Sequence, residues 1–534
     1  MRKIGSRSVQ ISVQKQDLTS GNLPKKILLF TLPIIAMGLF QNLFAACDDM
    51  VILGIFASDR ALAAVGATTY LVNLFVNVFI GLSVGANVVV ARLIGAKEER
   101  EANRAMHTAL TLSLIVGLVL MVLGSSLCRI CLEWLDTPAD IIAQSTTYLR
   151  IYFIGTPALL IFNFGAAILR AGGNAKTPFL YLSLSGAVNV ALNMLFVLVC
   201  RMDVAGVATG TVISQYLSAG LMILHLLREK GALQFRPRRM TLCGKYLVQI
   251  LRIGIPTGLN NLVFSISNTQ IQSAVNSFGA AAVAGCSAAY TLEHFFYTST
   301  NSVMQADISF VGQNVGAGKH RNIPKILRWC LFYAAGIGFV MGLTVVGLGR
   351  PIFGVILDSN AAIEFAMTRT YIFMFFYYMC GIMEVLAGTL RGLGKSLLPT
   401  AVTMIGACGL RLVWIHTVFR AMPALGVLFA SYPLSWLLTA IAHFVGYLVA
   451  MRRLKRQGPP PVEPPDEPTA TDKIPTTHEL LSTDETPTMR EMLATDETPT
   501  MHEMLATEET PTTDKISATD NEVPSLRTAP AAAH

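Results

Sequence analysis

Charge is what this chain has least of. Only 14% of its 534 residues are Asp, Glu, Lys or Arg, where a soluble globular protein carries about 25%. Its nine cysteines form no disulfide framework, because Cys47, Cys200, Cys286, Cys330, Cys380 and Cys408 fall inside apolar stretches. Cys128 and Cys131 make a Cys-x-x-Cys, but no second pair or nearby histidine completes a zinc site. A nucleophile–base pair, a metal cluster and a phosphate-loop glycine pattern are all missing, so an enzyme and a resident cofactor are not expected. A cleavable leader is not expected either: residues 1–26 are polar and basic, and the first apolar block is too long for one.

What is present is long apolar blocks of about 20 residues or more, the length that crosses a roughly 30 Å hydrocarbon layer. Twelve such spans are read, from 27–56 to 424–452, and each must be a helix because backbone in lipid satisfies its own hydrogen bonds. The net charge of +8 combines two opposite parts. Residues 1–456 hold 37 Lys/Arg against 17 Asp/Glu, while residues 457–534 hold 4 against 16. The positive charge sits in loops beside apolar spans, which excludes a nucleic-acid reading. Assigned to alternate sides, 29 basic residues fall on one side and 7 (Arg60, Arg129, Arg150, Arg201, Arg350, Arg369, Arg420) on the other. That asymmetry predicts both termini in the cytoplasm of a multi-pass protein of the inner (plasma) membrane.

The chain also repeats itself. Leu169-Arg-Ala-Gly-Gly-Asn-Ala-Lys-Thr-Pro178 is answered by Leu390-Arg-Gly-Leu-Gly-Lys-Ser-Leu-Leu-Pro399, with Arg and Pro eight positions apart in both. Val90–Lys97 is answered by Val311–Lys319, Ala61–Gly66 by Ala280–Gly285, and Phe30-Thr-Leu-Pro33 by Ile253-Gly-Ile-Pro256. Four echoes in the same order make an internal duplication. Six spans per half return the chain to its starting side, so the halves are expected to be related by an axis along the membrane normal. The organisation read is a cytoplasmic segment 1–26, a lobe 27–228, a basic inter-lobe loop 229–245, a second lobe 246–456 and a tail 457–534. The tail carries a 12-residue repeat rich in Thr, Pro and acidic residues (Thr483–Ala494, again at 495–506). Such composition cannot bury enough surface to order itself, so disorder is expected; its Met-Leu pairs offer a weak handle for a partner.

These motifs resemble the multidrug and toxic compound extrusion (MATE) transporters, and most closely a bacterial DinF-like branch. The resemblance covers about residues 17–455. It rests on Thr19-Ser-Gly-Asn-Leu-Pro24, Gln41-Asn-Leu-Phe44, Gly81-Leu-Ser-Val-Gly-Ala-Asn87, Asn189-x-x-x-Asn193, Phe264-Ser-Ile-Ser-Asn268 and Phe310-Val-Gly-Gln-Asn-Val-Gly-Ala-Gly318. It implies an all-α protein of twelve transmembrane helices in two six-helix lobes around a central cavity. It also implies export of organic, mainly cationic compounds in exchange for Na+ or H+.

Charge inside a membrane costs roughly 2.5–3.5 kcal/mol per residue on insertion scales, so each buried ionisable group is a functional candidate. In the first span these are Asp48 and Asp49; the resemblance fits either, with Asp48 on the face of Gln41 and Asp49 on that of Asn42. Asn189 and Asn193 share one face of the fifth span, and Asn163 could join them. Related proteins often have an acid at the position of Asn193; an amide weakens any Na+ site there. The coupling-ion set is therefore Asp49, Asp48, Asn189, Asn193, Gln41 and Asn163, with a possible Na+ at Asp49, Asn189 and Asn193. Glu293 and Glu384 in the second lobe, with Phe296, Tyr297, Asn268 and Gln305, form the expected substrate site, binding by charge and stacking. Arg411 is a candidate partner for Glu384, His294 and His443 are expected as hydrogen-bonded interior residues, and Asp307 as an entrance or solvated charge. The partners expected are small organic molecules and the lipid bilayer, with the chain acting as a monomer. The competing readings are a lipid-precursor flippase, which would need cationic residues in the cleft, and a membrane scaffold or receptor recruiting through its acidic tail.

Overall fold

A computed structural model describes residues 16–46, 59–135 and 137–457. Among these residues every regular element is helical. Nine helices are long and apolar enough to cross a membrane, and two bent pairs bring the number to eleven. A further helix, Ala280–Gly316, is long enough at 37 residues but carries Glu293, Asp307 and several amides. The fold expected from hydropathy is therefore the fold observed.

In chain order the helices are α1 (Leu23–Ala46), α2 (Asp59–Gly95), α3 (Glu99–Trp134), the broken α4 (Ile142–Ile154, Thr156–Ala171), α5 (Lys176–Met194, extended by a π turn, Leu195–Val199) and α6 (Asp203–Arg228). The second set is α7 (Gly244–Asn276), α8 (Ala280–Gly316), α9 (Ile323–Ile356), the broken α10 (Asn360–Phe373, Tyr377–Gly392) and α12 (Leu425–Gln457). Before α12 comes α11, which alternates helix types: Leu397–Thr403, a π stretch Met404–Gly409, Leu410–Trp414 and a second π turn Ile415–Phe419.

The sequence repeat returns as repeated backbone shape. The fourth helix of each set is the one that breaks, by 46° in α4 and 49° in α10. Pro33 and Pro256 lie inside α1 and α7, where a lost N–H bond is tolerated because neighbouring helices supply partners. Each Leu-Arg motif ends on a left-handed glycine, Gly173 at φ 84 and Gly394 at φ 67. After α2 and α8 the equivalent left-handed turns fall on Lys97 (φ 62) and Gly318 (φ 66).

The two sets of helices meet through glycine. Between helices in lipid there is little hydrophobic gain, so association relies on close van der Waals packing at small residues. A methyl group at Gly85 of α2 would run into the Ile250 carbonyl of α7, and one at Gly258 of α7 into the Val78 carbonyl of α2. On α8, Gly316 meets the backbone of Arg92 in the same way, and Gly95 of α2 meets Gln313. Backbone lies on backbone along this seam, at the end that carries the basic loops. Hydrogen bonds add to it: Asn87 Nδ2 donates to the Ala167 carbonyl at 2.9 Å and to Ser309 Oγ at 3.1 Å, and Arg92 Nη2 donates to the Gly392 carbonyl at 3.0 Å.

Residues before α1 form a strap across the same end. Gln16 N donates to the Gly173 carbonyl at 3.3 Å, tying the strap to the first copy of the repeat. Leu18 is fully buried; its carbonyl accepts from Asn314 Nδ2 at 3.0 Å and its N–H donates to Gln313 Oε1 at 3.4 Å. The Thr19 carbonyl takes Lys319 Nζ at 3.2 Å and Asn322 Nδ2 at 3.1 Å. Asp17 closes the turn by accepting from Ser20 Oγ, Thr19 N and Thr19 Oγ1. Partial burial pushes the Asp17 carboxyl up, but those hydrogen bonds and Lys26 outweigh it and hold it at about 2.

Candidate functional site

Asp48 and Asp49 lie outside the described residues. Of the other candidates in the first set of helices, Asn189 and Asn193 are both buried on one face of α5. Asn189 Nδ2 donates to Thr211 Oγ1 at 3.4 Å, and Asn193 packs on Gly210, where a methyl group would collide with its Oδ1. Asn163 is half-buried and turns its amide to the Leu159 carbonyl at 2.8 Å. Gln41 is exposed, while its neighbour Asn42 reaches across to α8 and donates to Thr298 Oγ1 at 3.0 Å.

From Tyr297 to Gln313 every fourth residue of α8 is polar; neighbours in this column lie one turn apart, and it winds about 40° round the helix at each step. Gln305 Nε2 donates to Asn301 Oδ1 at 2.9 Å, and Asn301 Nδ2 to Tyr297 Oη at 3.5 Å. These three residues keep part of their surface open. Further along the same column Ser309 and Gln313 are buried against the first set of helices. The column thus runs from an accessible stretch into the glycine seam. Asn268 on α7 accepts from Tyr432 Oη at 3.5 Å. Phe296 points elsewhere: it is 6% exposed and packs edge-on against buried Tyr377, so the ring is part of the packed interior.

The buried charges differ most from expectation. Glu293 pairs with Arg369 Nη2 at 2.7 Å, although Arg369 is counted above among the seven basic residues flanking the spans on the minority side. The helix begins at Asn360, and Ala362, Ala366, Arg369 and Phe373 then form one buried stripe; that spacing was the available signal. Glu384 sits 4.0 Å from Arg391 Nη1 rather than against Arg411. The two residues are seven apart on one helix, hence on one face. Asp307 is fully buried, not solvated: Thr389 Oγ1 donates to its Oδ2 at 2.7 Å. It points away from the column, toward α9 and α10. His443 is buried among the Met383 and Pro399 carbonyls and Thr403, as expected, whereas His294 is exposed.

Arg411 is 1% exposed. Its guanidinium lies 4.0 Å from the centre of the Tyr432 ring and 5.9 Å from those of Phe264 and Trp436, and its Nε donates to Ser435 Oγ at 3.0 Å. Arg369 lies over Phe429 and Phe373 at 5.0 and 5.4 Å. A surface cleft lined by Thr19, Asn22, Lys325 and Trp329 lies at the strap, far in sequence from these groups and lined by other helices.

Comparison with known proteins agrees with this architecture. The MatE family model matches residues 33–195 and 256–415, two blocks that each cover most of one copy of the internal repeat. The chain is 25% identical over 414 residues to the probable multidrug resistance protein YoeA of Bacillus subtilis, covering 76% of this chain and 89% of that one. To the probable multidrug resistance protein NorM of Thermotoga maritima it is 24% identical over 413 residues, covering 76% and 88%. Among solved structures, one described as the outward-facing conformation of a multidrug resistance MATE family transporter of the MOP superfamily superposes with a TM-score of 0.77 at 19% identity, covering 83% of this chain and 100% of that one. With matched segments over more than half its length, and the duplicated, membrane-spanning helices those segments require, the chain belongs to the MatE family.

Proposed function

We propose that the protein is a secondary active exporter of small organic compounds, driven by inward flow of H+ or Na+. The observation that carries this is the α8 column. Its open stretch, Tyr297 to Gln305, continues directly into Ser309 and Gln313, which are sealed against the other half at the basic-loop end. Two six-helix lobes that rock about this seam would expose the open stretch to opposite sides in turn. The basic loops and both termini lie in the cytoplasm on this reading, following the excess of Lys and Arg there.

In this mechanism the acid of the first span, Asp49 or Asp48, binds the coupling ion together with Asn189 and Asn193. Gln41 and Asn163 complete its polar surroundings. Glu384, Tyr297, Asn268 and Gln305 line the route of the organic compound, and Glu293 acts as an ion-paired group within it. Exchange follows if the same inner surface cannot hold ion and compound together. In vesicles holding the purified full chain, ethidium or norfloxacin efflux should start under a proton gradient alone or a sodium gradient alone. Failure of both gradients to move either compound ends the proposal.

A second reading gains weight from the arginines. A lipid-precursor flippase needs cationic groups facing its cargo, and Arg369, Arg391 and Arg411 are all buried within the second half. Transfer of a fluorescent polyprenyl diphosphate across the same vesicles, absent with empty ones, would select it.

A further inference from the structure

The charges buried around Tyr432 do not balance. Two guanidiniums, Arg369 at 4% exposed and Arg411 at 1%, share one aromatic cluster: Arg369 lies over Phe373, Arg411 over Tyr432, and the Phe373 and Tyr432 rings are 4.4 Å apart. One carboxylate, Glu293, answers them, and it is bonded to Arg369. Among the described residues no other carboxylate on the surrounding helices answers them: Asp307 of α8 is taken up by Thr389. The segments 244–276, 397–419 and 425–457 contain neither Asp nor Glu. On α10, Glu384 is held beside Arg391 and exposed Glu364 pairs with Arg350 at 2.7 Å. The histidine next to Glu293, His294, adds no negative charge.

Unused donors coincide with the surplus charge. Arg411 Nη2 and Arg369 Nε are buried and have no hydrogen-bond partner among the described residues. An unmet donor on a buried cation is costly, and ring faces compensate it only in part. The backbone around Arg411 is also unusual: a five-residue helical turn, Leu410–Trp414, is set between two π stretches. Such turns concentrate at functional sites. Half-buried Asn268 and exposed Tyr290 border the cluster through Tyr432 and Arg369.

We infer that Arg411, assisted by Arg369, receives an anionic group of the cargo, a carboxylate or a phosphate. The inference rests on the transport reading and narrows it: the preferred compounds are zwitterions or amphipathic anions, because a simple cation would meet a surplus of positive charge here. Arg411 is thus a binding residue for the acidic end of the molecule. Carboxylates and phosphates both fit a guanidinium fork, so the test must separate them.

Equilibrium dialysis of the full chain in lipid nanodiscs gives a readout that does not depend on transport. Norfloxacin carries a carboxylate and ethidium does not. In R411Q, norfloxacin should bind at least about thirty-fold more weakly, the loss typical of removing one partner of a buried charge pair, while ethidium binding stays within about two-fold. The wild-type chain supplies a second arm that needs no variant. Benzoate or phenyl phosphate should displace norfloxacin and leave ethidium bound, and the stronger competitor identifies the carboxylate or phosphate preference. Unchanged norfloxacin binding in R411Q, an equal loss of both compounds, or competitors that displace both or neither would overturn the assignment. Vesicles in which no gradient moves either compound would instead remove the transport reading and leave these binding results standing.

Discussion

At the scale of single residues, the informative positions are those where backbone or burial contradicts the side chain. Lys97 adopts φ 62, a left-handed conformation costing an L-residue about 1–2 kcal/mol, and its counterpart in the other half, Gly318, is free of that cost. K97G should therefore raise thermal stability, by up to about 1 kcal/mol after the extra unfolded-state freedom of glycine is subtracted. An unchanged or lower melting temperature would contradict the argument. The Glu293–Arg369 pair gives the opposite case. Removing one partner leaves a buried uncompensated charge, at a cost of about 3–5 kcal/mol. R369Q should lower the unfolding midpoint strongly, and the E293Q/R369Q double variant should recover much of the loss. A double variant as unstable as R369Q would show that the ion pair is not what Arg369 contributes.

Elements carry the next set of consequences. The approach of α2 to α7 depends on Gly85 and Gly258 having no side chain, and overpacking such a contact costs about 1–3 kcal/mol. G85V should push the seam apart. Spin labels at the exposed positions 97 and 319 should report a longer, broader distance distribution than in the parent protein; the same distribution would refute it. The strap is a second closing element, and it is pH-sensitive through Asp17. Its folded pKa, about 2, is below the ordinary aspartate value of about 3.9. The stabilisation is therefore complete above the ordinary value and is lost as pH falls through the folded one. Amide exchange at Thr19 should accelerate as pH drops from about 4 toward 2, after correction for intrinsic rates, and D17N should remove that dependence.

For the whole molecule, the duplication is the organising fact. Each half breaks its fourth helix, puts a proline in its first and ends its Leu-Arg motif on a left-handed glycine. Among the described residues the halves differ in buried charge: the second half holds Glu293, Asp307, Glu384, Arg369, Arg391 and Arg411, and the first holds Arg170. The acidic repeats after Gln457 belong to neither copy. Deleting residues 458–534 should leave efflux in vesicles within about two-fold of the full chain if transport resides in the duplicated helices. Loss of efflux, with folded protein in the membrane, would favour a scaffold or receptor role for the tail.

Hydropathy was enough to define a helical membrane protein of many spans, because crossing lipid imposes length and apolarity on each segment separately, and the motifs from Thr19 to Gly318 carried the resemblance to its family. That Asn189 and Asn193 share a face, and that a polar column follows α8, were also legible, since helical spacing alone fixes them. The tertiary structure decided which charges meet. Glu384 lies beside Arg391 and not Arg411, Arg369 leaves the loop for the interior, and Asp307 turns from solvent to Thr389. Pairing depends on how helices distant in sequence rotate and cross, and the seam glycines set that. No single segment encodes it.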